Sequence, residues 1–400
     1  MVKKIDKDSD SFVDLDMGSL AKPLPSITSG SLIVDNIIGG MRNKHGVRPC
    51  KGFPRGRIVQ LYGVNSCGKT TLALSAAAAV CAAGGTVFYV DYEHEVDHNY
   101  AEFLGVPVTD RDRFQLSQPD CMEEGLYQIL TAASVGVDLV VIDSVGAAVP
   151  KSSQEMSKDK AQTGRLGACA AGWSTFLPKF KPILRRSGMS VIAISQMRAT
   201  LASMGPQSAP QGGEGWKFYS SVRCMLRMVG KINGKRFDPV TNSYVEAPVA
   251  NKIKITLDKC KVSPSAMQSA EYYLKGTGGV DNLRSVLDLA LLYGVIKKAG
   301  SFYSWPERGF KAQGRDELQA MVEATPGLYE SLYEHVDALL AEPSKRGAGI
   351  TQAAGLLTEE EAGGGDGDLD MDAIIAMAER QNKISDEEAQ AFAELPEDLE

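Results

Sequence analysis

The chain has 400 residues, of which 44% are hydrophobic, and its net charge at pH 7 is −7. This length allows one large α/β core with a smaller lobe. No run approaches about 20 apolar residues, which excludes a membrane-spanning helix and predicts no membrane partner. No apolar segment follows the first charged residues, so we expect no secretory signal and a cytoplasmic location. The seven cysteines are scattered without a CxxC pair, which indicates reduced thiols and no structural metal.

Strand and helix patterns alternate from residue 57 to residue 195. Apolar runs predict strands at four places: 57–63, 86–91, 138–143 and 189–195. Periodic or alanine-rich segments predict helices at three places: 69–83, about 96–104 and about 122–134. Because these strands are almost entirely apolar, we predict a mostly parallel sheet with helices on both faces. The fold class is therefore α/β.

The later part of the chain adds other elements. Segment 197–213 is rich in Gly, Pro, Ser and Ala and is too long for an ordinary connection, so we predict a functional loop. Residues 222–229 and 252–257, around a turn at Asn233-Gly234, predict antiparallel strands at the sheet edge. Pattern and composition divide the chain into four predicted parts: an N-terminal arm at 1–35, a core at 36–284, a small α+β lobe at 285–345 and a flexible acidic tail at 346–400.

Negative charge is concentrated at the end of the chain. Residues 359–400 contain fifteen Asp or Glu and two Lys or Arg, so the other 358 residues have a net charge of +6. A basic body with an acidic tail suits a DNA-binding protein whose tail competes with phosphate for the basic surface. The tail could equally serve solubility alone, and charge does not decide between these two interpretations.

The strongest signal for chemistry is a GxxxxGK[ST] sequence between a predicted strand and a predicted helix. Glycines in such a loop let backbone N–H groups approach phosphate oxygens. Lys69 would bind the β- and γ-phosphates, and Thr70 would bind Mg²⁺. We therefore predict ATP and Mg²⁺ as cofactors. The predicted ligand residues of the loop are Gly63, Asn65, Ser66, Cys67, Gly68, Lys69, Thr70 and Thr71.

Carboxylates follow or end two of the predicted strands. Asp143 ends the run at 138–143 and could hold Mg²⁺ through its water shell. Hydrolysis also needs a group that orients or deprotonates the attacking water, and Glu93 lies just beyond the run at 86–91. Asp91 and Glu95 compete for that role, and spacing does not choose among the three.

Eight segments, in the same order, resemble the motifs of RecA recombinases, and the resemblance covers roughly residues 26–345. The segments are SITSGSLIVDNIIGG, GVNSCGKTTL, YVDYEHEVDHNYAEFLGV, LSQPD, VVIDSVGAAVPK, ISQMR, GGEGWKFYSSVR and KCKVSPS. The resemblance implies a RecA-type P-loop ATPase core with a small C-terminal lobe. It also implies DNA-dependent ATP hydrolysis, assembly into a helical filament on single-stranded DNA, and strand exchange with double-stranded DNA.

The resemblance also implies roles around the nucleotide. Glu93 matches the family's water-activating glutamate. Asp97 and Tyr100 match the positions that flank the adenine, where the tyrosine ring stacks on the base. Gln196 resembles the glutamine that senses the γ-phosphate and relays its presence into the following loop.

A second set of implied roles concerns contacts between copies of the chain. Lys259 and Lys261 resemble two lysines that reach across a filament interface to the neighbour's ATP. Two residues at i and i+2 on a strand share a face, so both could converge on one triphosphate. A site completed in this way makes turnover depend on assembly, as an arginine finger does.

The resemblance assigns DNA contact to two loops, at 154–167 and 197–213. Arginines there would contact phosphates, and a methionine could wedge between bases. We expect binding independent of sequence, since base pairing itself tests homology. The residues assigned to DNA are Arg165, Arg198, Met204, Gly212 and Gly213.

Three features depart from the usual bacterial pattern. The first loop, QTGRLGACAAGW, lacks the family's Met-Gly-Leu and a downstream arginine; the second loop is about one residue shorter; and residues 41–54 are an insertion. The arm lacks a clear amphipathic helix, so the polymerisation contact stays unassigned. These departures favour a phage-encoded member over a housekeeping bacterial one.

Two other functions share parts of this sequence. A hexameric helicase or another RecA-fold DNA motor has the same P-loop and strand-end aspartate, although we expect it to lack YEHEVD and KFYSSVR. A regulatory ATPase paralogue that binds a protein partner is favoured by the atypical first loop and the acidic tail. In a recombinase, the same tail could dock a single-strand-binding or mediator protein.

Overall fold

The computed structural model describes residues 22–341 except 41, 44–45, 155–160, 200–207, 239–241 and 265–267. Residues 1–21 of the predicted arm, all of the predicted tail at 346–400, and Met204 lie outside the described residues. Within the described part of the chain, no helix is both long and apolar enough to cross a membrane.

A mixed, mostly parallel sheet forms the centre of the molecule. Its strands are β3 (Ile58–Gly63), β4 (Val87–Asp91), β5 (Phe114–Ser117), β6 (Leu139–Asp143), β7 (Ser190–Ala199), β9 (Val222–Asp238), β10 (Ser243–Cys260) and β11 (Ser269–Lys275), and they lie in the order β11-β10-β9-β3-β7-β6-β4-β5. Neighbours from β9 to β5 run parallel, whereas β10 is antiparallel to both β9 and β11. The predicted α/β class is confirmed.

Short strands lie beside this sheet. The first pair is β1 (Ser26–Ile27) with β2 (Phe53–Pro54), and β8 (Ser208–Pro210) pairs with the end of β7. In the C-terminal lobe, β12 (Lys297–Ala299), β13 (Phe302–Trp305) and β14 (Phe310–Gln313) form an antiparallel sheet, with a 3-10 turn at Pro306–Arg308.

Helices cover both faces of the central sheet. They are α1 (Leu32–Gly39), α2 (Lys69–Ala82), α3 (His98–Phe103), α4 (Met122–Val135), α5 (Lys151–Gln154), α6 (Ala161–Ser187), α7 (Gly215–Tyr219), α8 (Asn282–Leu292), α9 (Arg315–Ala324) and α10 (Leu328–Leu340). Successive side chains of a strand point to opposite faces, so Leu139 and Val141 of β6 join one apolar cluster while Val140 and Ile142 join the other. The first cluster includes α1, α2 and the lobe helices, and the second includes α4, α6 and α7.

The predicted boundary between arm and core, residue 35, falls inside α1. All eight residues of this helix are buried, and Ser31 caps it by accepting a hydrogen bond from the N–H of Val34. The described residues just before this boundary therefore pack with the core cluster, as the burial of Ile27 also indicates.

The predicted turn at Asn233-Gly234 is wrong. Asn233 pairs with Pro248 and Gly234 pairs with Ala247 inside the long β9–β10 ladder. An Asn-Gly pair makes a tight hairpin when both residues adopt positive φ, but here the strands continue pairing and the chain reverses between Asp238 and Ser243. Asn242, with φ of 50°, carries the left-handed conformation instead.

The predicted insertion at 41–54 contributes two residues that connect the C-terminal lobe to the core. Arg48 Nη1 lies 2.7 Å from Asp337 Oδ1 on α10, and Lys51 Nζ lies 2.8 Å from Asp337 Oδ2. Arg48 is buried, and these two cations hold the pKa of Asp337 below its ordinary value against the opposing effect of burial. Losing one partner of a buried pair is costly, so these ion pairs stabilise the position of the lobe.

A second buried carboxylate lies in the first turn of α1. Asp35 Oδ1 accepts the backbone N–H of Ser29 at 2.8 Å and its hydroxyl at 2.6 Å, and Oδ2 accepts the hydroxyl of Thr28. Burial raises the pKa of Asp35 to about 6, although these hydrogen bonds oppose the shift. The folded protein therefore binds a proton at Asp35 more tightly than the unfolded chain does.

This shift predicts a pH-dependent difference between wild type and Asp35→Asn. Because the folded pKa of Asp35 lies above the unfolded value, ionisation of Asp35 costs stability that is regained as pH falls through 6 toward 4. The free energy of unfolding of Asp35→Asn minus that of wild type should therefore decrease by on the order of 2 kcal/mol between pH 7 and pH 4.5. Urea unfolding at both pH values measures this difference, and a difference that stays constant or grows contradicts it.

Candidate active site

The loop between β3 and α2 has the backbone of an anion site. Gly68 precedes α2 with φ of 84°, and a Cβ there would lie 2.3 Å from Leu274 Cδ1. A Cβ on Gly63 would lie 2.2 Å from the carbonyl oxygen of Leu226. Both positions therefore require glycine. The loop brings the chain to the positive end of the 14-residue helix α2, where backbone N–H groups favour a negative ligand.

Lys69 supplies a cation inside this loop. Its side chain is buried, and Nζ donates to the carbonyl oxygens of Gly63 at 3.2 Å and Val64 at 2.8 Å. Carbonyl oxygens are weaker partners for an ammonium than phosphate oxygens are. The ammonium and the N–H groups around it thus fit a triphosphate.

Asp143 lies next to the first turn of α2. Its Oδ2 accepts hydrogen bonds from the hydroxyl of Thr70 at 2.9 Å and from the hydroxyl of Tyr89 at 2.7 Å. Burial, and then the nearby charges of Glu93 and Asp91, raise the pKa of Asp143 to about 6, although both hydrogen bonds oppose this. A divalent cation would relieve that charge crowding. The pair Thr70 and Asp143 fits Mg²⁺ held partly by phosphate oxygens, the usual arrangement for this ion.

Glu93 and Gln196 meet at the carboxyl ends of the parallel strands. Gln196 Nε2 donates to Glu93 Oε1 at 2.8 Å. The two residues are 103 positions apart in the chain, and the strands β7, β6 and β4 bring them together because their carboxyl ends lie side by side. The sequence predicted a role for each residue, but not this contact.

Hydrogen bonding separates Glu93 from the two competing carboxylates. Asp91 is buried and accepts the backbone N–H groups of Glu93, His94 and Val96. The carboxylate of Asp91 therefore holds the turn after β4. Glu95 is exposed. Glu93, half-buried and facing Gln196, is the carboxylate whose position suits a reacting water.

Tyr100 lies beside α2, and Asp97 lies at the start of α3. The hydroxyl groups of Tyr100 and Thr71 are 2.9 Å apart, and the N–H of Gly279 donates to the Tyr100 hydroxyl at 3.4 Å. Asp97 caps α3 by accepting the N–H groups of Asn99 and Tyr100. Capping α3 gives Asp97 a structural role that needs no ligand. The sequence reasoning missed this role.

The two predicted trans-acting lysines lie at the opposite end of the sheet from the P-loop, where β3 begins. Val222 of β9 pairs with Val59 near the start of β3, whereas Leu226 pairs with Gly63 at its end. Lys259, near the end of β10, pairs with Arg223, so Lys259 and Lys261 lie away from the P-loop of their own chain. Lys259 Nζ donates to the carbonyl oxygens of Lys217 at 2.6 Å and Phe218 at 3.0 Å.

The residues assigned to DNA are spread over several elements. Arg165 lies in α6, which begins at Ala161 inside the predicted first loop. Arg198 is exposed on β7 and pairs with Ala209, so the predicted second loop begins and ends as a hairpin. Gly212 and Gly213 have φ of 95° and 88°. Added Cβ atoms there would lie 2.6 Å from side-chain atoms of Val145 and Ala170 respectively, so close packing explains both glycines.

Polar residues to which the sequence reasoning gave no role either contact the site or form a hydrogen-bonded chain in the strands behind it. Tyr89 donates to Asp143, and the available signal was its hydroxyl in β4, a strand that is otherwise apolar up to its last residue, Asp91. Arg223 donates to Gln60 at 2.8 Å, and Gln60 donates to Ser195 at 2.8 Å. This buried chain of hydrogen bonds crosses β9, β3 and β7 and ends one residue before Gln196.

Two family models match the chain. The RecA N-terminal domain matches residues 1–280, and the RecA C-terminal domain matches residues 284–341. The protein called "Protein RecA" in Chlamydia abortus is 33% identical over 338 residues, which cover 84% of this chain and 89% of that relative. Its namesake in Chlamydia pneumoniae is 33% identical over 333 residues, which cover 83% and 87% respectively.

Proposed function

Because the chain belongs to the RecA family, we propose that it is a recombinase that assembles on single-stranded DNA in the presence of ATP. In this proposal the filament pairs the bound strand with a homologous duplex and exchanges strands. ATP hydrolysis then releases the product. Membership of the family supports this class of activity.

The observation that carries the proposal is the hydrogen bond between Gln196 and Glu93. Gln196 lies on β7, and the chain continues from it through Arg198 toward the segment assigned to DNA. A glutamine that contacts both the carboxylate and a γ-phosphate would link nucleotide occupancy to that segment. A link of this kind explains how DNA binding and hydrolysis could depend on each other.

Each residue of the site has a separate task in this proposal. Lys69 and the loop N–H groups would hold the triphosphate, while Thr70 and Asp143 would hold Mg²⁺, which supplies charge neutralisation at the phosphates. Glu93 would accept a proton from the attacking water. Gln196 would orient the Glu93 carboxylate toward that water, and Tyr100 with Asp97 would border the base.

Lys259 and Lys261 would complete the site of a neighbouring copy. DNA-stimulated turnover of the double variant Lys259→Ala/Lys261→Ala should be at least about 100-fold lower than that of wild type, by analogy with the removal of an arginine finger. ATP affinity of the free protein should change less than about twofold, since neither lysine lies near its own P-loop. Steady-state hydrolysis with DNA and fluorescent-nucleotide titration without DNA measure the two quantities. A comparable loss of affinity in the free protein contradicts the trans assignment.

The experiment that tests the function is ATP hydrolysis with and without single-stranded DNA, at several salt concentrations, with negative-stain images of the same samples. Stimulation by DNA together with helical filaments is the expected result. Closed rings would favour a hexameric motor. DNA-independent ATP hydrolysis by small oligomers would favour a regulatory ATPase.

The finer assignments rest on sequence features. We propose a phage-encoded member because of the insertion at 41–54 and the altered first loop, features that stand beside only 33% identity to the chlamydial relatives. Phage genes beside the coding sequence are the expected genomic finding.

We propose a single-strand-binding or mediator protein as partner of the tail because of its net charge of −13 over residues 359–400. Truncation at residue 358 should abolish that binding.

A further inference from the structure

A cavity of about 540 Å³ opens at the end of the sheet that lies opposite the P-loop. It lies where β3 begins and α6 ends, and its described lining contains no Asp or Glu. Four of its lining residues are cationic: Arg57, Lys181, Arg185 and Arg186. A cavity of this composition favours an anion.

The cavity adjoins the two lysines assigned to the neighbour's nucleotide. Ser221 lines the cavity, and its carbonyl oxygen accepts the backbone N–H of Lys261 at 2.9 Å. Tyr219 also lines it, and Lys181 Nζ lies 5.7 Å from the centre of the Tyr219 ring. Lys259 contacts the carbonyl oxygen of Phe218, the residue just before Tyr219. Lys181, Lys259 and Lys261 therefore flank one short segment of chain.

The positive charge at this edge is not neutralised within the described part of the chain. The ion pairs found there do not include Arg57, Lys181 or Lys261. Two acidic residues lie close in sequence to this cluster. Glu214 pairs with Lys217 at 3.6 Å, and Asp258, which precedes Lys259, belongs to none of these ion pairs.

Burial and the repulsion between cations both shift the pKa values of Lys181 and Lys259 in this cluster. Burial, and then the charges of Lys261 and Arg57, lower the pKa of Lys181. Burial, and then the charges of Lys261, Lys181 and Arg223, lower the pKa of Lys259 to about 8. Cations that repel one another at close range gain from a shared polyanion.

We propose that Lys181 acts with Lys259 and Lys261 as a third cation for the triphosphate bound by a neighbouring copy of the chain. The inference rests on the trans role proposed for the other two lysines. When copies stack head to tail, one end of each sheet faces the opposite end of the neighbour's sheet. The end that carries these lysines would therefore meet the neighbour's P-loop. A compact triphosphate suits three cations around one turn of chain better than the extended backbone of a nucleic acid does.

The test compares Lys181→Ala, Lys181→Arg and the control Lys179→Ala, whose side chain is exposed on the same helix. In DNA-stimulated hydrolysis, Lys181→Ala should raise KM for ATP roughly tenfold, the effect of one lost charge-assisted hydrogen bond. Lys181→Arg should stay within about threefold of wild type, and Lys179→Ala should match it. ATP affinity of the free protein should be the same for all four proteins. Unchanged KM in Lys181→Ala, or an equal loss of affinity in the free protein, overturns the proposal.

A second measurement separates this proposal from the recombinase function. Inorganic tripolyphosphate should raise the melting temperature of Lys69→Ala, whose P-loop lysine is missing. The rise should be largely lost in Lys69→Ala/Lys181→Ala and kept in Lys69→Ala/Lys179→Ala. That result would support the anion site even if wild type showed no DNA-stimulated turnover. An equal rise in all three proteins counts against it, as does Lys181-dependent binding of a single-stranded oligonucleotide without nucleotide.

Discussion

Replacement of Lys69 by alanine is expected to lower the affinity of the protein for ATP by at least about 100-fold, the cost of losing a charged hydrogen-bond donor inside a phosphate site. The Lys69 ammonium lies within the loop, held by the carbonyl oxygens of Gly63 and Val64. The loop is shaped by Gly63 and Gly68, where an added Cβ would meet atoms of Leu226, Cys67 or Leu274 and not of the lysine. Alanine therefore removes the cation and leaves the loop backbone in place.

Titration with a fluorescent ATP analogue measures the loss, and Lys179→Ala serves as the matched control for removing one positive charge. Thermal unfolding should show that Lys69→Ala remains folded. All DNA-stimulated turnover should disappear with the affinity. Binding within about threefold of wild type would mean that the loop does not hold the triphosphate through Lys69.

The elements around this loop were predictable because local signals and packing agree there. The apolar run at 57–63 and the alanine-rich run at 69–83 gave β3 and α2 within a residue, since both are buried and the glycines between them admit only a tight turn. The Asn233-Gly234 turn failed for the opposite reason. A local turn preference lost to the long ladder between β9 and β10, which residues outside the turn determine.

The site itself was predictable in parts. Spacing placed Glu93, Asp91 and Glu95 near a strand end, but only the hydrogen bonds of Asp91 and the contact between Gln196 and Glu93 distinguish them. Contacts between distant segments carry no local signal. The pairing of Arg48 with Asp337, 289 residues apart, is one such contact. The position of Lys181 near Lys259 and Lys261 is another, because it depends on how α6 packs against α7.

Replacement of Glu93 by glutamine should separate binding from hydrolysis. Glutamine has nearly the same shape as glutamate, and its carbonyl oxygen can still accept the hydrogen bond from Gln196 Nε2. An amide cannot take a proton from water at neutral pH. ATP affinity should therefore stay within about threefold, while turnover falls about 100- to 10,000-fold, the contribution of a general base.

Filaments of Glu93→Gln on single-stranded DNA should then outlast those of wild type, because the ATP that favours assembly is no longer consumed. Light scattering after dilution or after a salt jump measures their lifetime, and single-turnover hydrolysis measures the chemical step. Glu95→Gln, which changes an exposed neighbour, should behave as wild type in both. Asp91→Asn should differ from both variants, since Asp91 holds the turn that positions Glu93 and its loss should weaken binding and turnover together. Faster dissociation of Glu93→Gln than of wild type would show that Glu93 supports assembly and not hydrolysis, and the role of general base would pass to another group at this edge of the sheet.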